Sequence, residues 1–293
     1  MGRIERMLSF TILYDRLRWE EKAIYEEAKK QGIKASLVDA KSTPISVVGN
    51  DFNPKDIFEE IVLQRTLSHF RGLYYASVLE SYGYKVINSF KTSLICGNKL
   101  LTTIELHRRG IPTPRTVVAF STDSALKAMD EIGYPIVMKP ITGSWGRMVV
   151  KIRDRKEAKA ILETKELIPD PLQQIYYIQE YISRPPRDIR VIIVGGTIVA
   201  SVYRYQPEDD WRTNVARGGI VKPFKLSSEH EELFLRAAEA VGGGILGIDA
   251  MEVNEGILIH EVNSNVEFRG ASQASDKNIP LEIVNYLKEV LRK

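Results

Sequence analysis

The order of apolar runs changes character part-way along the chain, and that change limits the folds open to it. Over about the first 95 residues, short apolar runs alternate with helical patterns. "LSFTILY" leads to "WEEKAIYEEAKKQG", closed by Gly32, then to "KASLVDA", "IFEEIVLQR", the helical "RGLYYASVLESYG" and "YKVIN". Strands alternating with helices predict a small parallel α/β lobe. A helix "NKLLTTIELHRRG", stopped by Gly110, and the rigid connector "IPTPR" follow. Next come strand "TVVAFS", helix "TDSALKAMDEIG", strand "YPIVMKP", a glycine loop, strand "RMVVKI" and helix "DRKEAKAILETK", an α+β pattern. "YYIQEYI" then leads into an antiparallel region. "RDIRVIIVGGTIVASVYRY" folds back at Gly195 and Gly196, and "ILGIDAMEV" is followed at once by "GILIHEVN". Helices are expected in "SSEHEELFLRAAEAVGG" and "PLEIVNYLKEVLRK". The expected architecture is mixed α/β and α+β, with lobes over residues 1–95, 96–177 and 178–293.

Composition removes several function classes. A net charge of +3 is too weak to argue for nucleic acid, while anionic substrates or an acidic partner fit it. A single cysteine, Cys96, excludes an internal disulfide framework and a multi-cysteine metal site, as in a reducing cytoplasm. No apolar run reaches the roughly 18 residues of a membrane span, and the short run after "MGRIER" is expected to be a first strand rather than a leader. The four histidines (69, 107, 230, 260) lack metal-ligand spacing.

The densest chemistry lies in "ILGIDAMEVNEGILIHEVN". A three-residue loop over 254–256, with Gly256 left-handed, would pair Val253 with Ile257; counting outwards then sets Asp249 opposite Glu261. Alternation along the strand puts Asn263 on the face of Glu261. Two facing carboxylates repel unless a cation or a proton lies between them. With an amide oxygen they form an all-oxygen set suited to magnesium, which keeps its other positions for water and phosphate. A solvated strand end is the alternative, and a magnesium site needs a phosphate partner elsewhere.

"KPITGSWGR" offers one. Lys139 ends an apolar strand, and Gly143 and Gly146 flank Ser144 and Trp145, so backbone N–H groups can converge on an anion. The loop is neither Walker A nor G-x-G-x-x-G, and alone it is more often an ordinary hairpin. "YYIQEYISRPPRDIR" brings Gln179, Glu180, Asp188 and Arg190, either where main chain borders an adenine-sized pocket or on an edge strand. "WRTNVARGG" sets Asn214 and Arg217 before a glycine pair, either as metal or phosphate contacts or as a polar loop. "RLRWEEK" is expected to be a helix start, with Arg16 and Arg18 able to border a cleft.

Together and in this order, these segments resemble the ATP-grasp superfamily over nearly the whole chain. The match is carried by "INSFKTSLICGNKLLT", "GIPTP", "YPIVMKPITGSWGR", "IQEYI", "RDIRV", "WRTNVARGG" and "IDAMEV…HEVN". Within that superfamily, "GSWGR", "RDIR", "N-x-A-x-GG" and "EVN-x-x-x-EF" are similar to the ligases acting on LysW, the small acidic amino-group carrier protein, which are related to ribosomal-protein glutamate ligases. The resemblance implies a pre-ATP-grasp lobe and two α+β lobes enclosing ATP. By similarity, Lys99 and Lys139 contact ATP phosphates, Gly143, Ser144, Trp145, Gly146 and Arg147 cover them, and Gln179, Glu180, Tyr181 and Ile182 hold adenine. Asp188 joins the nucleotide site, and Asp249, Glu261 and Asn263 bind two Mg2+ ions. Asn214 lies near the reacting phosphate, with Arg190 and Arg217 close to an acyl phosphate. Arg204, Asn214, Val215, Ala216, Glu267, Phe268 and Arg269 fall where the branch handles its amino acid. The family commonly has Asp before the first ATP lysine; this chain has Asn98.

The implied reaction phosphorylates a carrier carboxylate and then lets the α-amine of an amino acid displace phosphate. α-Aminoadipate, of lysine biosynthesis, and glutamate, of arginine biosynthesis, differ by one methylene, worth about 1–3 kcal/mol to a pocket. "EVN-x-x-x-EF" is closer to the lysine-pathway enzyme; glutamate, or both, stays open. The resemblance further implies a homo-oligomer, dimer or tetramer, while the single cysteine, weak net charge and lack of a long apolar run make a cytoplasmic protein with neither nucleic acid nor membrane as partner the expectation.

Overall fold

The computed structural model describes residues 8–143, 145–208, 210–213 and 220–292. The first lobe runs β1 (Ser9–Tyr14), α1 (Trp19–Lys30), β2 (Lys34–Asp39), β3 (Ile61–Gln64), α2 (His69–Ser81) and β4 (Lys85–Ile87). Its four strands pair in parallel in the order β2-β1-β3-β4. Two helices follow, α3 (Phe90–Cys96) and α4 (Lys99–Arg108). α3 answers to no sequence expectation; its short span holds under two helical turns, too little for a periodic signal. Asn98 starts α4, its side-chain oxygen accepting from Leu100 N at 3.0 Å and Leu101 N at 3.2 Å. Asn and Asp cap helices about equally well, so the replacement keeps the turn that presents Lys99.

The second lobe comprises β5 (Thr116–Ala119), α5 (Thr122–Ile132), β6 (Ile136–Lys139), β7 (Val150–Ile152), α6 (Arg155–Glu166) and β8 (Tyr176–Glu180). Its antiparallel sheet has the order β5-β8-β6-β7. β8 pairs with β5 through Gln179 and with β6 through Glu180. Met129, Ile136, Met138, Leu162 and Ile178 give the lobe its own core.

The third lobe holds β9 (Arg187–Val194), β10 (Thr197–Tyr205), β11 (Val221–Pro223), α7 (Ser228–Ala240), β12 (Ile245–Val253) and β13 (Gly256–Asn263), then α8 (Arg269–Gln273) and α9 (Ile279–Arg292). The five strands run antiparallel in the order β11-β10-β9-β12-β13. The β9–β10 turn is made by Gly195 and Gly196 at φ 58° and 81°, the two positive angles of a type I′ hairpin. A side chain on Gly195 would also meet the Tyr286 ring at 2.3 Å.

One face of this sheet packs on α4 and α7 through Ile189, Val191, Ile248, Ile259, Leu106 and Phe234. The other face shares a core with the first lobe, where Phe10, Ile12, Ile24 and Leu63 meet Ile192, Val202, Phe268 and Ile283. Period-two alternation continues that second face from Ile192 to Arg190 and Asp188, and from Val202 to Arg204. There the first lobe stops covering it and charged side chains replace aliphatic ones. Among the described residues, no helix is long and apolar enough to cross a membrane.

Candidate active site

A cavity of about 500 Å³ lies where the three lobes meet. Its floor is a charge ladder fixed by strand register. Asp188 and Arg204 are cross-strand partners, as are Arg190 and Asp249, and Asp249 and Glu261. Arg204 grips Asp188 through Nε at 2.8 Å and Nη2 at 2.6 Å, and reaches Asp249 at 3.0 Å. Arg190 binds both Asp249 oxygens at 2.7 Å. Thr213 also donates to Asp188. Burial pushes the Asp249 carboxyl up, but Arg190 and Arg204 outweigh it and hold it well below the usual carboxylate range. At Glu261 burial also pushes up, and Lys99, 3.0 Å away, brings the net shift below the ordinary value.

The Asp249–Glu261 pairing arises differently from its derivation in sequence. The hairpin loop has two residues, not three: Val253 pairs with Gly256, and Glu252 with Ile257. A bulge between Asp249 and Ala250 then leaves His260 without a partner position and restores Asp249 to Glu261. Loop and bulge each displace the register by one, and the two displacements cancel. The bulge brings Glu261 to the cavity, since strict alternation would put it with Ile257 and Ile259 in the α7-side core. Burial pushes the His260 imidazole down to about 3, with Lys139 acting the same way.

Lys99 and Lys139 enter from two lobes. Lys99 Nζ donates to Gly143 O at 2.9 Å and to Glu261. Lys139, at the end of β6, donates to Gln179 Oε1 at 2.7 Å; Gln179 in turn donates to Thr116 Oγ1 and Tyr177 OH, each at 3.0 Å. Desolvation pushes the Lys139 ammonium down to about 8, partly opposed by Glu261. The side chain of Gln179 therefore serves Lys139, a role its sequence context did not signal. Glu180 turns its carboxylate to Arg115 N at 2.7 Å, leaving main chain at the cavity edge. Tyr181 stacks under Lys151 Nζ, 3.5 Å from the ring centre.

Gly143, Trp145, Gly146 and Arg147 line the cavity roof. Trp145 and Met148 adopt left-handed backbone at φ 59° and 57°, where a side chain costs about 1–2 kcal/mol. Arg212 Nη1 donates to Gly146 O at 2.8 Å, and Arg147 lies over the Trp145 ring at 5.0 Å. Ser144, Asn214, Val215, Ala216 and Arg217, expected in the site, lie outside the described residues.

The turn over residues 264–268 closes the end nearest the first lobe. Glu267 borders the cavity, whereas Phe268, expected to touch substrate, is fully buried against Trp19. Its aromatic ring is the core anchor of the turn. Arg269 is exposed at the start of α8 and is not among the cavity-lining residues. Arg18 is the N-cap of α1, the helix start expected of "RLRWEEK", and it also reaches this turn and lines the cavity.

Among the described residues, no three His, Cys, Asp or Glu side chains gather for a metal. The oxygen set still suits a hard cation: Asp249 faces Glu261 across the register, and Asn263, two residues on from Glu261, lines the same cavity. In the structure Arg190, Arg204 and Lys99 supply the positive charge between the carboxylates.

Residues 96–287 match the RimK-like ATP-grasp domain. The chain belongs to the RimK-like ATP-grasp family. Residues 10–95 match the LysX pre-ATP-grasp domain. Among its relatives, the α-aminoadipate–LysW ligase LysX of Sulfolobus acidocaldarius is 38% identical over 94% of this chain and 100% of its own length. The glutamate–LysW ligase ArgX of the same organism is 36% identical over 94% and 97%. A RimK domain ATP-grasp protein of Sphaerobacter thermophilus shares the fold, with a TM-score of 0.79 at 23% identity over 95% and 98% of the two chains. ATP-grasp ligases use ATP and Mg2+ to form carbon–nitrogen bonds, and this ATP-grasp ligase is an enzyme of that class.

Proposed function

We propose that this ATP-grasp ligase joins the α-amino group of α-aminoadipate to the C-terminal glutamate side-chain carboxylate of a LysW-type carrier protein through an acyl phosphate. What supports the reading most is the likeness to the α-aminoadipate–LysW ligase along that relative's full length. Glutamate as the amino acid, alone or as a second substrate, is the next reading, favoured by the 36% identity to the glutamate–LysW ligase.

In this account Lys99 and Lys139 bind the ATP phosphates under the loop over residues 143–147. Gln179 holds the Lys139 ammonium in place, and the main chain of residues 179–182 borders adenine. The resemblance gives Arg190, Asn214 and Arg217 to the transferred phosphoryl group and the acyl phosphate. Asp249, Glu261 and Asn263 would hold two Mg2+ ions, which neutralise phosphate charge. Catalysis of phosphoryl transfer resides mainly in positioning and electrostatics, so no side-chain nucleophile is required. Cys96 is unsuited to that role, because burial raises its thiol far above neutral pH. Closure of the lobes keeps water from the acyl phosphate. Arg204, with Val215 and Ala216, belongs to the amino-acid end, and copies associate as a dimer or tetramer.

The test is ADP release by purified enzyme with carrier, comparing α-aminoadipate with glutamate. ADP release that needs the carrier and is faster with α-aminoadipate is expected. Equal turnover on a ribosomal-protein peptide without carrier would move the reading to that class of ligase.

A further inference from the structure

Arg18 is anchored far more heavily than a helix start requires. Its Nε and Nη2 bind the fully buried Glu21 at 3.1 and 2.7 Å, and Nη2 also donates to Asn265 Oδ1 at 3.1 Å. Glu21 is braced from behind by Arg65 Nε at 3.0 Å, and Arg65 Nη2 donates to Val266 O at 3.0 Å. Asn265 ties back to Thr66 O at 2.7 Å. The guanidinium is therefore held on two sides by the first lobe and the 264–268 turn. Its remaining edge, Nη1, faces the cavity and meets Glu267 Oε1 at 3.2 Å. That contact is the loose one, since the Glu267 side chain is 40% exposed against 12% for Arg18. An exposed pair of this kind contributes little to stability, while the anchors of Arg18 do not depend on it.

An α-amino acid carries an ammonium and a carboxylate on one carbon. A fixed guanidinium beside a displaceable carboxylate, both bordering one cavity, presents the complementary pair. We propose that Arg18 and Glu267 form the amino-acid head-group subsite, Arg18 taking the α-carboxylate and Glu267 the α-ammonium. One loose internal ion pair is exchanged for two charge-assisted pairs with substrate, and the local net charge is unchanged. The subsite rests on the ligase reading above and adds which groups hold the incoming amino acid.

Glu267→Gln keeps the shape of an exposed side chain and removes the ammonium acceptor. Arg18→Lys keeps the charge but loses the fork, with a thermal melt to confirm folding. Two rates are measured with ATP and carrier: ligation at varied amino acid, and hydroxamate formed when hydroxylamine traps the acyl phosphate without amino acid. Loss of a charged hydrogen bond predicts that KM for the amino acid rises about tenfold or more in Glu267→Gln, with KM for ATP unmoved and the ratio of ligation to hydroxamate falling. An unchanged KM and ratio in Glu267→Gln overturns the subsite. Absence of hydroxamate from the unsubstituted enzyme overturns the ligase reading itself, and the subsite with it.

Discussion

The floor and the roof of the cleft place charge at one cavity by opposite means. On the floor, Asp188, Arg190, Arg204 and Asp249 project from adjacent strands whose register fixes every partner, and Asp188, Arg204 and Asp249 are buried. The roof is a loop between β6 and β7 with left-handed Trp145 and Met148, held through contacts such as Arg212 to Gly146. A sheet fixes its side chains by register, whereas a loop presents backbone whose conformation is free to change. Glu261 and Lys99 sit on the seam, ion-paired but only partly buried at 26% and 13% side-chain exposure.

Substitutions separate these roles. Asp249→Ala leaves buried Arg204 and partly buried Arg190 without their shared anion, and removing one partner of such a cluster costs about 3–5 kcal/mol. Urea unfolding reads that loss, and a loss below about 1 kcal/mol would mean that the ladder does not organise the floor. Glu261→Ala belongs to the seam: ADP release falls about a hundredfold or more, while urea stability falls by less than about 1 kcal/mol. Near-normal ADP production by that variant refutes its assignment to phosphate and metal.

Lys139 makes the cleft pH-sensitive from the roof side. Burial lowers its ammonium from the ordinary 10.5 to about 8, so the positive charge is lost as pH rises through 8 and KM for ATP climbs. Stability moves the other way: between pH 8 and 10.5 the unfolded chain binds more protons, so the folded state gains as pH rises. Lys139→Met abolishes both trends; a KM–pH profile identical in the variant would show that another group titrates. The smallest effect is expected at Trp145→Gly. Relief of left-handed strain offsets lost packing on Arg147, so stability shifts by less than about 1 kcal/mol, whereas KM for ATP rises severalfold.

The same contrast sets what could be read from sequence. The alternating lobes and the Gly195–Gly196 hairpin were legible, because periodicity and turn chemistry are local; the facing of Asp249 and Glu261 followed only because a loop one residue shorter than expected is offset by the bulge. The bulge at His260 was not legible: nothing in "LIHEV" marks an extra residue, and its cause is tertiary, the competing demands of the α7-side core and the cleft. Asp188 and Arg204 were expected at the nucleotide and the amino acid, yet they are bound to one another, a pairing set by strand order. Arg18 and Arg65, joined through Glu21, meet the 264–268 turn only because the first and third lobes share a core, a contact across more than 200 positions.

The intact mass of the carrier after incubation with enzyme, ATP, Mg2+ and an equimolar mixture of α-aminoadipate and glutamate decides acceptor and amino acid together. The expected product is a carrier heavier by one α-aminoadipate residue, with ADP formed in step. A carrier left unmodified, or one carrying only glutamate, would contradict it.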